Sequence, residues 1–67
     1  MTKSRAIALR NVIDAVESDI DNGAEYVVQD PWTHELLSDK MAASAEKEMR
    51  AILRRLEERL AGNEPGR

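Results

Sequence analysis

The sequence predicts an all-α protein, an antiparallel two-helix hairpin over residues 1–62 that dimerises into an antiparallel four-helix bundle. Three observations support this prediction. Apolar residues recur at helical spacing on both sides of a short break, glycine and proline are confined to that break and to the carboxy terminus, and the 67 residues include no cysteine. Because one hairpin of this size buries little surface and has no disulfide, we expect a second copy to complete its core.

The first helix is predicted over residues 3–22. Thr2 or Ser4 can cap its amino terminus, and Asn22-Gly23 can end it through a left-handed residue. Apolar side chains spaced three and four residues apart form the stripe of one buried helical face, which the period of two in a strand does not fit. The residues of this stripe that we expect in the core or the dimer interface are Leu9, Ile13, Val16 and Ile20.

The second helix is predicted over residues 31–61, after a joint at residues 23–30. Asp30-Pro31 offers a capping carboxylate followed by a proline at the first helical position, and the composition that follows favours a helix. Residues 63–67 are expected to form a flexible tail. The apolar residues of this helix that we expect in the core or the dimer interface are Trp32, Leu37, Met41, Met49, Ile52, Leu53, Leu56 and Leu60.

Charge is distributed in blocks along the chain, whose formal net charge is −3. Residues 1–13 carry +3, residues 14–39 carry −8 without any lysine or arginine, and residues 40–67 carry +2. In a hairpin the acidic block forms the closed end, and the two basic blocks meet at the open end. Because unlike ends attract, we expect the two closed ends to lie at opposite poles of the dimer.

A flank of carboxylates on the first helix is the candidate surface for binding a second protein. Like charges four residues apart destabilise a helix, and acids near its carboxy terminus oppose the macrodipole, so this flank favours a partner with a basic surface. The alternative is a solvated surface that serves only the electrostatics of the dimer. An exposed tyrosine at the joint would add an aromatic anchor, whereas Trp32 is expected to plug the end of the bundle. The candidate partner-binding residues are Asp14, Glu17, Asp21, Glu25 and Tyr26.

We expect no catalytic, cofactor-binding or metal-binding site. His34 is the only histidine and cysteine is absent, so a zinc triad cannot form, and no Gly-rich loop could hold a phosphate. A hairpin has no enclosed pocket for a small-molecule substrate, so the protein is predicted not to be an enzyme. Arginines that alternate with glutamates and a pI of about 5.0 argue against nucleic-acid binding. The sequence contains no run of about 20 apolar residues, so no membrane span is predicted. We expect a cytoplasmic protein.

In length, in its Met-Thr-Lys start and in its two expected helices, the chain resembles the Rop family of plasmid copy-number proteins. The resemblance implies an antiparallel dimeric bundle that binds RNA through its first helices, here through Lys3, Arg5 and Arg10 with the carboxy-terminal arginines. The succession of a helix, a glycine, a short apolar piece and a helix over residues 20–28 resembles small antitoxins. The size and acidity resemble those of small phage-encoded proteins that disable host regulators.

The function predicted from the sequence is that of a non-enzymatic regulator. It is expected to dock on another protein, for example a basic DNA-binding or regulatory protein, and to inhibit or modulate it. A Rop-like RNA-binding dimer is one alternative. An antitoxin or a structural accessory subunit of a larger assembly is another.

Overall fold

A computed structural model describes residues 1–62 of the chain. Helix α1 spans Lys3–Asp21, a 3₁₀ turn spans Glu25–Val28, and helix α2 spans Asp39–Ala61. The predicted all-α class and the helical hairpin are confirmed. The predicted tail, residues 63–67, lies outside the described residues.

Helix α1 begins and ends by the predicted mechanisms. The side chain of Thr2 accepts a hydrogen bond from the backbone N–H of Arg5 at 3.2 Å, which satisfies one free donor of the first turn. At the other end Asn22 is the C-cap, and Gly23 follows with a φ of +70°. A left-handed residue at this position favours glycine because a Cβ atom would be strained there. The helix therefore ends one residue before the predicted boundary.

Helix α2 begins at Asp39, so the predicted start at residue 31 is wrong. Its N-cap is Ser38, whose side chain accepts a hydrogen bond from the backbone N–H of Met41 at 3.2 Å. Asp39 adds a negative charge to the first turn, where the helix dipole favours it. Serine followed by aspartate was thus the better start signal in the sequence.

The segment after Asp30 forms one turn and then reverses. The Asp30 carboxylate does act as a cap, since it accepts hydrogen bonds from two backbone N–H groups of that turn at 2.8 and 3.2 Å. The turn ends at His34, which has a φ of +65°. Beyond it the backbone pairs backwards, with an antiparallel bridge between Gln29 and Leu36. Because these residues bond to the preceding segment, a helix cannot continue from residue 31, and the connection extends over residues 22–38.

The core is one seam between the two helices. Its buried α1 residues recur every seven positions, and the 3₁₀ turn supplies the next residue of the same series. A repeat of seven is the spacing of two α-helices that wind around each other in a left-handed supercoil. The buried residues are Ala6, Ile13, Ile20, Val27, Leu53 and Leu60, and the partly buried Leu9, Val16, Ala24, Met49 and Leu56 pack against them.

Several residues predicted for the core or the dimer interface lie at the surface of the hairpin. Trp32 is 87 % exposed, while Met41 and Ile52 are just over half exposed and Leu37 is half-buried. Trp32 does not plug the closed end of the hairpin, because the turn that the Asp30 carboxylate caps carries the indole away from the helices.

The N-cap of α2 gives a test of its observed start. Replacing Ser38 by alanine removes the acceptor for the Met41 N–H and should lower the free energy of unfolding by about 1 kcal/mol. Urea unfolding followed by circular dichroism measures this change. The control is Ser44→Ala inside α2, which should leave stability unchanged or slightly raise it, since alanine is the better helix former. Equal effects of the two substitutions would contradict the assigned start.

Candidate interaction surfaces

One side of the hairpin carries ion pairs that cross between the helices. The Arg10 guanidinium lies 3.6 Å from the Glu57 carboxylate, and that of Arg50 lies 3.1 Å from the Asp21 carboxylate. The hydrogen bond that Arg50 donates to the Asp21 carboxylate is the main reason that the pKa of Arg50 is raised above its ordinary value. All four side chains are more than 40 % exposed, so solvent screens each pair and its contribution to stability is small. The pairs fix which sides of the two helices lie together more than they stabilise the fold.

Two further pairs lie within the helices on the same side. Arg10 contacts Asp14 at 2.9 Å, and Arg50 contacts Glu46 at 3.4 Å. We call this side the charged face. It comprises Arg10, Asp14, Glu17, Asp21, Glu46, Arg50, Arg54 and Glu57, so five carboxylates stand against three arginines.

A pair of carboxyl groups lies at the middle of the charged face. Hydrogen bonding with the Glu57 side chain is the main cause that raises the pKa of Glu17 above its ordinary value of 4.5. Desolvation and the charge of Glu57 raise it further, while Arg10 lowers it. The two glutamates border a shallow groove of about 190 Å³ together with Arg50 and Arg54. The charged face thus retains a carboxyl group that no arginine neutralises fully.

The five predicted partner-binding residues fall in two places. Asp14, Glu17 and Asp21 share the charged face, as the spacing predicts. Glu25 does not continue this flank, because α1 ends at Asp21 and Glu25 lies in the 3₁₀ turn. Tyr26 also lies in that turn and borders a different surface. The acidic surface on α1 is therefore shorter than the sequence indicates, and two of its three acids pair with arginines.

Tyr26 ties the 3₁₀ turn to α1. Its hydroxyl donates a hydrogen bond to the Asp19 carboxylate at 2.7 Å, which raises the pKa of the tyrosine above its ordinary value of 10.0. The ring is half exposed and borders a groove of about 500 Å³ that we call the closed-end groove. Its other lining residues include Pro31, His34, Leu37, Ala45 and Met49.

A second groove, the open-end groove, lies towards the other end of the hairpin. Its volume is about 250 Å³, its apolar lining comes from Leu9, Val12 and Leu56, and Arg5 and Arg59 lie at its edge. Val12 is 52 % exposed although it is apolar. Sequence reasoning omitted Val12 from the candidate core, although its position three residues after Leu9 was the available signal.

Both grooves belong to one apolar side of the hairpin. Ala45, Met49, Ile52 and Leu56 are spaced four, three and four residues apart, so they form a continuous ridge along α2 from one groove to the other. In the sequence, charged residues of α2 come about one position after the residues of this ridge. One position is a rotation of about 100° around the helix axis, so these charged side chains lie towards the opposite side of the hairpin. We call this side the apolar face; it comprises Leu9, Val12, Val16, Ala45, Met49, Ile52 and Leu56.

Within residues 1–62, no group of three or more acidic or histidine side chains is arranged to hold a metal ion. None of the helices in this range is long and apolar enough to cross a bilayer. Comparison with protein-family models, with curated proteins and with solved structures found no match. Inference about function therefore depends on the two faces themselves.

The carboxyl pair predicts a dependence of stability on pH. Because folding raises the pKa of Glu17, the folded state binds its proton more tightly, and stability should fall as the pH rises from 4.5 through the folded-state pKa. Glu17→Gln keeps a donor towards Glu57 without the charge. This variant should be more stable than the wild type at pH 7 and lose that advantage near pH 4, as measured by urea unfolding.

The control for this measurement is Asp14→Asn, which removes the ion pair with Arg10. At pH 7 this variant should be no more stable than the wild type. If Glu17→Gln also fails to gain stability at pH 7, the carboxyl pair is not formed in solution.

Proposed function

We propose that this protein is a non-enzymatic homodimer that binds a second protein with a basic surface and modulates its activity. The observation that carries the proposal is the contrast between the two sides of a single hairpin. One side is a continuous apolar ridge with two grooves, and the other is charged with an excess of carboxylates. A soluble helix pair that works alone has no need of such an apolar face.

The exposed area of the chain supports dimerisation. The chain exposes 5274 Å², whereas a compact monomer of 7.5 kDa exposes about 4200 Å². The radius of gyration of 14.1 Å likewise exceeds the value of about 11 Å for a compact chain of this length. An elongated hairpin exposes more area than a compact chain, and its apolar face is the part that a second copy would cover. Apposing two apolar faces would give the antiparallel four-helix bundle.

Charge supports an arrangement with closed ends at opposite poles. The connection between the helices carries Glu25, Asp30 and Glu35 and contains no lysine or arginine. The open-end groove is edged instead by Arg5 and Arg59. Antiparallel packing brings these unlike charges together at both ends of the dimer, and parallel packing would set like charges against each other.

The charged face would remain on the outside of such a dimer and is the proposed docking surface. Its internal ion pairs leave the contact between Glu17 and Glu57 without full neutralisation. A lysine or arginine from a partner that approached Glu17 from the side of the groove away from Arg50 and Arg54 would give this acid an ion pair. An acidic surface of this kind fits a protein whose own function depends on a basic surface, such as a DNA-binding protein.

The dimer interface can be tested with two residues of nearly equal exposure. Val12 lies on the apolar face and is 52 % exposed, whereas Ile7 lies off it and is 50 % exposed. Val12→Lys should convert the dimer to a folded monomer in sedimentation equilibrium, because the substitution places a charge in the interface. Ile7→Lys should leave the dimer intact. Dissociation by both variants, or by neither, would contradict the proposed interface.

The docking surface can be tested by charge reversal at a site where reversal should not damage the fold. Glu17→Lys forms an ion pair with Glu57 and reduces the acid excess of the charged face. Binding of a basic protein from an extract of the native host to the immobilised dimer should fall about tenfold, because the substitution replaces an attractive charge by a repulsive one at the contact.

The matched control is Glu58→Lys, which changes the net charge equally but lies at an exposed position of α2 outside the charged face. Its binding should stay close to that of the wild type, and sedimentation should show that both variants remain dimers. Equal losses in the two variants would indicate attraction by net charge alone and would exclude the specific surface.

A further inference from the structure

The most exposed large apolar side chain that the structure describes is an indole on the connection between the helices. Trp32 is 87 % exposed, and Leu36, four residues later, is 73 % exposed. Exposing an indole to water is unfavourable, and tryptophan is the residue most enriched among the anchors of protein interfaces. A contact that covered this pair would therefore be favourable, and the single hairpin does not supply one.

The turn that carries the indole is held rigidly. The Asp30 carboxylate accepts hydrogen bonds from the N–H groups of Trp32 and Thr33 at 2.8 and 3.2 Å, and the Thr33 hydroxyl accepts one from Glu35 at 3.3 Å. The backbone N–H of His34 donates to the Asp30 carbonyl at 2.8 Å. These bonds hold His34 at its positive φ, which is uncommon outside glycine but enriched for histidine.

Two backbone hydrogen bonds fix the base of the turn. Asp30 donates to the Glu35 carbonyl at 2.9 Å, and Leu37 donates to the Val28 carbonyl at 2.8 Å. An anchor on a segment ordered before binding loses little conformational entropy on association. The indole is thus presented in the way that a binding anchor requires.

The open-end groove has the chemistry to receive an indole. Its apolar lining comes from Leu9, Val12 and Leu56, and its volume is about 250 Å³. Arg5 and Arg59 also line the groove, and a guanidinium group can stack on an aromatic ring. The positive charge of these two arginines also matches the acids of the turn, which are Asp30 and Glu35.

The positions along the rod also match. Residue 50 is the midpoint of α2. The turn residues on either side of Trp32 line the closed-end groove with Ala45, about 8 Å before this midpoint at 1.5 Å per residue. Leu56 and Arg59 lie about 9 to 14 Å beyond it. In an antiparallel dimer whose twofold axis passes the midpoint of α2, the turn of one copy would lie level with the open-end groove of the other.

We propose that Trp32 of each copy inserts into the open-end groove of the other copy and anchors the dimer. The inference rests on the proposed homodimer and names the residue that the second copy contributes to each groove. The contact occurs twice because the interface is symmetric. It covers the exposed indole and fills the groove with a single side chain.

Trp32 is the only tryptophan, so its fluorescence in the full-length protein reports the contact directly. Sedimentation equilibrium locates the concentration range over which the dimer dissociates. Across that same range the Trp32 emission should shift to the blue on association, and quenching by acrylamide should fall. Trp32→Ala should raise the dimer dissociation constant by about tenfold or more without loss of helix content. Ile7→Ala, which removes an exposed apolar side chain off the apolar face, should leave the constant unchanged.

A charge exchange tests the predicted pairing of the turn with the groove edge. Arg5→Glu should weaken the dimer, and adding Glu35→Lys to the same chain should restore much of the loss, because the two charges are exchanged across the interface. Arg55→Glu, an exposed arginine of α2 outside the groove, is the control and should not respond to Glu35→Lys.

The outcomes separate this inference from the dimer itself. A dimer in which Trp32 emission and quenching stay those of an exposed indole would overturn the insertion and leave the homodimer standing, with the indole available to another protein. A monomer at every concentration would overturn both. A blue shift that follows the sedimentation curve, together with rescue by the charge exchange, would establish the contact.

Discussion

The packing of the hairpin is only one layer thick, and this constraint governs the rest of the structure. Each helix buries a single stripe against the other, and the seam is centred on Ile13, which is fully buried. A helix pair has two flanks beside its seam, and within residues 1–62 no third helix covers either of them. Whatever these flanks carry is exposed to solvent or to a second molecule, so the chemistry of the flanks decides how the protein associates.

The two flanks have opposite chemistry because of their register relative to the seam. On α2 the apolar ridge that includes Met49 and Leu56 is followed one position later by Arg50 and Glu57. In the antiparallel hairpin the apolar flank of α1 lies beside the apolar flank of α2, and the acidic flank of α1 lies beside the charged flank of α2. Helix α1 therefore contributes Val12 to the apolar face and acids to the charged face. Ion pairs across the seam keep the helices in this register. The orientation of the two helices about their axes therefore exposes an apolar surface on one side of the hairpin and a charged surface on the other.

The connection between the helices also determines which side chains the hairpin exposes. It runs over residues 22–38 and is held by its own backbone hydrogen bonds, so it is a structured element and not only a link. Its 3₁₀ turn extends the seam with Val27, and the following turn carries Trp32 outward. The acids of this connection and the arginines of the open end make the hairpin polar along its length, which favours an antiparallel pair.

The sequence by itself determined the helical class, the seam and the caps of α1, because these depend on interactions between residues a few positions apart. The spacing of Ile13 and Ile20 and the Asn22-Gly23 stop are local signals of this kind. Only the tertiary structure decided where α2 begins and where Trp32 lies. Asp30-Pro31 is a valid local start, but residues 35–37 form backbone bonds to residues 28–30, and such pairing between separate segments is not encoded by local propensity. The division of the acidic residues between two surfaces likewise depended on where α1 ended and on which arginines of α2 came to lie opposite.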